Sequence, residues 1–459
     1  MSLQFGKITR GFMKYFIVLF LIINVSFGQN IKEEVWNGID VVWIEDNTLP
    51  LYHFYLYSDA GSFNEEKTQI GLTQYTLNMI DQGTSTLNHR QISDKFDFMG
   101  TGLSSYLTHE YFLLSFSGLI KDMQETTNLF CHLVQDSQFP KDRLDHLIKK
   151  SKKSLNNLVS NHSDLANRIF RRLTFKGTGY SYPTTGTLAS LDQIRAYDTK
   201  EMWKKIKNES YKKIYIYGPS SLGQMKESLK NCGFKNKEKK ARKMSFVSNG
   251  KSLKKSIYFA SVPNASQAQV RWGRYLNSTE LGQSEVLDTF SGNFFGGGFT
   301  SRLMQELRVK HGLTYGVFSI VSPQKHYGRS LIATSTKNES VVNLIKIIKN
   351  NVDNIKESIK SKEFLRSKNF IKGNYLLSQE SQASYLQTLI QLDHRGLSYN
   401  VLKEFNHNVD KIKINELSDN IYNKFNMKTN YIFVLGDVSL KKKLMKYWNV
   451  IEISYADYL

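Results

Sequence analysis

Past residue 30, apolar residues first gather in two short runs, Val41-Val42-Trp43-Ile44 and Leu51-Tyr52-His53-Phe54-Tyr55-Leu56-Tyr57, parted by Pro50. Runs of this length, rich in β-branched and aromatic residues and bounded by a turn residue, predict strands. The spacing then lengthens: Ile70, Tyr75, Leu77, Met79 and Ile80 predict a helix over 70–82 that stops at Gly83. A strand-like alternation over 111–116, amphipathic helices over 122–135 and 141–173, and a short buried strand at 214–217 follow. Over 235–255 the periodicity fades and Lys and Arg crowd together, which marks a linker.

Beyond the linker the pattern returns as a repeat. Leu191-Asp192-Gln193-Ile194 is matched 218 residues on by Val409-Asp410-Lys411-Ile412, and Ile214-Tyr215-Ile216-Tyr217-Gly218 by Ile432-Phe433-Val434-Leu435-Gly436. Ser221-Leu222 and Ser439-Leu440 keep the same offset. So long a period excludes a solenoid and implies a duplicated domain. Each copy mixes strands with long helices, which predicts an α+β fold. The expectation is two homologous domains, 30–235 and 256–459, each a mostly antiparallel sheet with helices on one face, joined by a basic linker at 236–255.

The amino-terminal region adds a compartment. Lys7, Arg10 and Lys14 precede nine unbroken apolar residues (15–23), and Ser26 and Gly28 follow. That is the order of a cleavable secretory signal over 1–28, cut after Gly28. A bilayer span needs roughly 20 apolar residues, and no later stretch supplies them. The mature protein is therefore expected in the periplasm, with no transmembrane anchor.

Charge and cysteine content change the picture less. Lys and Arg (62) exceed Asp and Glu (41), for a net +21 over 459 residues. The excess sits in short mixed groups such as Lys149, Lys150, Lys152 and Lys153, with no basic arm and no nucleic-acid module. It reads as solvated helix faces, and no nucleic-acid partner is expected; binding through charge alone would show as affinity that collapses with salt. The two cysteines are Cys131 and Cys232, and Cys131 lies in the apolar stretch Leu129-Phe130-Cys131-His132-Leu133. A buried thiol is expected there, although an exported chain permits a disulfide. None of the ten histidines lies three to five residues from another, so no helix presents a paired imidazole face to a metal. Neither a Gly-x-Ser-x-Gly elbow nor a phosphate loop is present.

Two segments carry a family signature. One runs Gly71-Leu72-Thr73-Gln74-Tyr75-Thr76-Leu77-Asn78 to Gly83-Thr84; the other runs Gly296-Gly297-Gly298-Phe299-Thr300-Ser301-Arg302-Leu303, through Glu306-Leu307-Arg308, to His311-Gly312-Leu313-Thr314-Tyr315-Gly316. With Ala60-Gly61-Ser62, Tyr180-Ser181-Tyr182-Pro183 and Pro263-Asn264-Ala265-Ser266-Gln267, they resemble the insulinase-type (pitrilysin) metallopeptidases over nearly the whole mature chain. In active members of that family the first helix carries His-x-x-Glu-His, whose imidazoles hold zinc and whose Glu activates water. The resemblance places Gln74, Leu77 and Asn78 at those positions. The family's third ligand, a Glu about 75 residues further on, falls in a stretch (146–163) without any carboxylate. No metal and no catalytic residue is therefore expected in this chain.

The second segment keeps the family's Arg/Tyr pair as Arg308 and Tyr315, which the resemblance implies as substrate-binding residues across from the zinc. The glycine run 296–298 fits either a close approach of the following helix to neighbouring backbone or a simple turn before it. The resemblance implies a proteolytically inactive subunit that forms a heterodimer with a zinc-bearing M16 partner and binds peptide with it. The alternative is a non-catalytic scaffold or peptide-binding protein of the cell envelope, for which Arg308 and Tyr315 would be dispensable.

Overall fold

A computed structural model describes residues 30–238, 256–277, 280 and 285–459. The expected signal segment and residues 239–255 of the expected linker lie outside them. The first domain contributes strands β1 (Asn30–Trp36), β2 (Ile39–Glu45), β3 (Leu51–Ser58), β4 (Ser104–Leu107), β5 (Phe112–Leu119) and β6 (Lys212–Gly218). They form one sheet in the order β1-β2-β6-β3-β5-β4, antiparallel except where β2 runs beside β6. The second contributes β7 (Ser256–Ser261), β8 (Gln267–Leu276), β9 (Val317–Pro323), β10 (Gly328–Lys337), β11 (Tyr431–Gly436) and β12 (Asn449–Glu452), in the order β12-β7-β11-β8-β10-β9. In both sheets the late strand slots between two earlier ones, β6 between β2 and β3 and β11 between β7 and β8, parallel to the first of each pair and antiparallel to the second. The repeated segments 214–218 and 432–436 are those two strands, so the duplication seen in the sequence is a duplication of topology. The helices leading into them, Ala196–Glu209 and Ile414–Phe425, also begin 218 residues apart.

Each sheet buries both faces, and the alternation along its strands shows why. In the first sheet Val41, Trp43, Phe54, Leu56, Leu114 and Ile216 point to the domain's own helices. The intervening Val42, Ile44, Tyr55, Tyr57, Leu113, Tyr215 and Tyr217 point the other way, onto Leu386, Leu389 and Ile390 of the second domain's helix Gln382–Arg395. The second sheet receives the mirror arrangement. Ala260, Phe433 and Leu435 pack against Leu165, Ile169 and Phe170 of the first domain's helix His162–Thr174. Each domain thus lends one helix to the other's sheet, so the covering expected on one face extends to both. One buried cation sits under the second seat: Arg271 on β8 donates to Asn167 Oδ1 (2.7 Å) and to the Ser163 carbonyl (3.1 Å).

Three local expectations are corrected. The helix expected over 70–82 spans Leu72–Asn78, and Met79, Ile80 and Gln82 continue as tight turns that bury Met79 and Ile80 without helical geometry. The helix expected over 141–173 is two, Lys141–Asn157 and His162–Thr174, because Asn161 caps a new start by accepting from the Asp164 N–H (3.2 Å). Cys131 is not a free thiol: it is joined to Cys232, with a Cα–Cα distance of 4.2 Å across 101 residues. The fold folds the segment after the helix Met225–Lys230 back onto the helix Met123–Asp136, a proximity no local pattern announces.

Candidate functional site

The first-domain helix Leu72–Asn78 is anchored at its amino end by Glu65, whose carboxylate accepts from the backbone N–H groups of Gly71 (2.8 Å) and Thr73 (2.7 Å). That is the favoured place for a negative charge on a helix, although burial pushes the Glu65 pKa up against it. On this helix Gln74 and Asn78 lie one turn apart, and Gln74 Nε2 donates to Asn78 Oδ1 (3.0 Å). Ser105 on β4 also donates to Asn78 Oδ1 (3.4 Å). Leu77 is 3% exposed and belongs to the first domain's core. The helix Lys141–Asn157 runs alongside, close enough for Ser151 to hydrogen-bond the Tyr75 hydroxyl, while Lys152 pairs with Asp192.

These residues do not fit a zinc ion. Amide oxygens are weak ligands for zinc beside imidazole, and Leu77 has no donor. Among the described residues, no three His, Cys, Asp or Glu side chains gather to hold a metal. The polar groups that do occupy the site bond to each other within the chain.

Arg308 and Tyr315 sit in a different environment. The helix Glu285–Gly296 lies so close to β9 that a Cβ at Gly296 would stand 2.7 Å from the Ser319 backbone nitrogen. The close approach expected of the glycine run is therefore made by the helix before it, not by the one after. The chain then turns into a π-helical segment, Met304–Lys310, with Met304 and Leu307 buried and Arg308 exposed. The Arg308 guanidinium stands 5.2 Å from the centre of the Phe299 ring. Among the described residues no carboxylate pairs with it. Tyr315 precedes β9 and is 84% exposed. The backbone beneath it is fixed: Thr314 Oγ1 donates to the Gly316 carbonyl (2.8 Å), accepts from the Gly316 N–H (3.1 Å) and lies 3.0 Å from Thr334 Oγ1. Phe299, against the Arg308 guanidinium, and Val309, next to Arg308 in the chain, are also exposed (70% and 64%). Arg302, by contrast, is tied to Glu363 by two parallel hydrogen bonds (2.7 and 2.5 Å) and supports the segment from within.

Sequence reasoning missed a second group of side chains, at the domain interface. His394, on the lent helix Gln382–Arg395, meets Tyr57 Oη through Nδ1 (2.9 Å) and Glu110 Oε2 through Nε2 (2.6 Å). Tyr180 donates to the other oxygen of Glu110 (2.5 Å). Burial raises the Glu110 pKa, but the bonds from His394 and Tyr180 outweigh it and hold the carboxyl below its ordinary value. Next to it, burial and the charge of Arg171 pull His109 down to about 4, and its Nε2 donates to the Tyr182 carbonyl (2.8 Å). Gly61 permits this packing, since a Cβ there would strike the His109 carbonyl. Glu110 and His394 are 284 residues apart, so nothing in their spacing could have joined them. The cluster borders an interdomain cavity of about 690 Å³, which neither Arg308 nor Tyr315 lines.

Comparison with known proteins matches this geometry to a family. Residues 41–188 match the insulinase family (peptidase family M16), and residues 193–371 match the peptidase M16 inactive domain. The chain is 24% identical over 386 residues to a Helicobacter pylori protein named "Non-peptidase homolog YmxG", covering 83% of this chain and 88% of that one. Its fold is that of a peptidase M16 inactive domain structure from Pseudomonas fluorescens (TM-score 0.79, 20% identity, 89% of this chain and 98% of that one). It is also that of a structure described as a protease from Helicobacter pylori (TM-score 0.77, 14% identity, 89% and 99%). The chain belongs to the insulinase-type M16 peptidase family, as an inactive member of it.

Proposed function

We propose that this chain is the zinc-lacking subunit of a two-chain M16 peptidase, contributing Arg308 and Tyr315 to peptide binding and transition-state stabilisation. In this reading it is exported to the periplasm and forms a heterodimer with a zinc-bearing M16 partner. The observation that carries the reading is the contrast in occupancy. A structural Arg would pair with a carboxylate and a structural Tyr would pack in a strand, whereas Arg308 has no such partner among the described residues and Tyr315 is 84% exposed. A guanidinium fork and a phenol both donate to a peptide carbonyl or a developing oxyanion. The Cys131–Cys232 disulfide and the signal-like segment at 1–28 support export.

The test is a purified complex of this chain with a zinc-bearing M16 chain from the same organism. Arg308→Ala should lower kcat/KM of the pair about 100-fold, the ~3 kcal/mol typical of a lost oxyanion donor, and Tyr315→Phe should lower it less. Neither substitution should move the melting temperature of the isolated chain. A complex that forms but turns over at the same rate with both variants would contradict the shared site and favour the scaffold reading.

A further inference from the structure

The interdomain cavity has an unusual charge balance. Four arginines, Arg168, Arg171, Arg274 and Arg329, line it, and Glu110 is the one carboxylate among the residues that do. Both Glu110 oxygens are engaged, one by His394 and one by Tyr180. Two of the arginines are engaged as well. Arg168 donates to the carbonyls of Tyr458 (2.5 Å) and Gly186 (2.9 Å), and Arg274 pairs with Glu280 (2.6 Å).

Arg171 and Arg329 remain. They come from different domains, Arg171 from the helix His162–Thr174 and Arg329 from β10, and both are half-buried. Among the described residues neither forms an ion pair with a carboxylate. Tyr327 accepts a hydrogen bond from Arg171, but burial pushes its pKa up, so the phenol stays neutral and cancels no charge. Burial, reinforced by the charge of Arg171, also pulls the Arg329 pKa down. Two like charges withdrawn from water without a counter-ion destabilise an interface. A cleft with one sign of charge and low-dielectric walls concentrates the opposite ion. The walls nearby are partly apolar, with Phe170, Phe175 and Leu331, and the volume is that of a pocket for an organic ligand rather than a single small ion.

We infer that the interdomain cavity is a carboxylate-binding site, in which Arg171 and Arg329 close from opposite domains on an acidic side chain of a short peptide. A guanidinium pairs with a carboxylate through two parallel hydrogen bonds, which fixes orientation as well as charge. The site needs no second subunit and is separate from the Arg308–Tyr315 surface.

The test uses the isolated chain and a fluorescein-labelled Ala/Gly dodecapeptide with two central glutamates, beside the same peptide with glutamines. The glutamate peptide should bind at least 10-fold more tightly, and Arg329→Gln or Arg171→Gln should each weaken it at least 10-fold. A double change of the exposed Lys150 and Lys153 to Gln, on the outer helix Lys141–Asn157, should leave it unchanged, which separates the site from general attraction to a basic protein. Without ligand, Arg329→Gln should melt no lower than wild type, because it relieves a repulsion; a purely structural arginine would melt lower. If Arg329→Gln does not fold, Arg329→Lys keeps the charge without the fork and should bind at intermediate strength. Citrate that binds with the same arginine dependence while the peptide does not would keep the carboxylate site and assign it to a small polycarboxylate. Affinity indifferent to both arginine substitutions, or equal for the two peptides with no citrate binding, would overturn the inference.

Discussion

In the first domain the helix Leu72–Asn78 uses its side chains within the chain: Gln74 bonds to Asn78 and Leu77 packs in the core. In the second domain Arg308 and Tyr315 turn outward from a backbone that is itself firmly held; among the described residues no carboxylate pairs with Arg308, whose guanidinium stands against the exposed Phe299 ring. The two domains share one topology, so the difference lies in which side chains the fold uses for its own stability. Side chains with internal partners should matter to folding and not to any second protein. Those without should matter only to what binds them.

The largest effect expected from this contrast is at Leu77. Leu77→Ala should destabilise the isolated chain by about 3–4 kcal/mol through the cavity it leaves, read as a lower midpoint in urea. Arg308→Ala in the same assay should sit within about 0.5 kcal/mol of wild type, as a surface change does. A small loss at Leu77 would mean that the helix Leu72–Asn78 is not integral to the core and that its degenerate positions are not absorbed by packing.

A somewhat smaller effect concerns the buried polar groups between the domains. Burial, with the charge of Arg171, lowers His109 from an ordinary 6.5 to about 4, so the native state keeps it neutral. Its contribution to stability is complete above pH 6.5 and is lost as pH falls toward 4, by roughly 3 kcal/mol. Glu110, held below its ordinary 4.5, adds its own loss as pH falls below 4.5. His109→Gln should flatten the slope of stability between pH 6.5 and 4 while leaving the loss below that range. An unchanged slope would place the acid sensitivity elsewhere.

Much of this was legible in the sequence where it depended on local spacing. The fixed offset between 214–218 and 432–436 announced two copies of one fold, and the signatures at 71–84 and 296–316 announced an inactive member of the family. What could not be read there depends on contacts between distant residues. The apolar pattern of residues 162–174 and 382–395 marks each as amphipathic but not that each covers the other domain's sheet. Cys131 looked like an ordinary core residue because its apolar neighbours are real; only the return of the chain at Cys232 makes the disulfide. Asn161 starts a new helix within an unbroken amphipathic pattern, since a cap changes the backbone without changing the periodicity. Arg171 and Arg329 belong to different domains, and only their packing together creates the charged cavity.

The most direct test of the central claim is calorimetric titration of Zn²⁺ into the metal-free, purified chain. The account predicts no stoichiometric high-affinity site and an isotherm unchanged by Gln74→Ala and Asn78→Ala. One equivalent bound tightly, and lost in either variant, would contradict it.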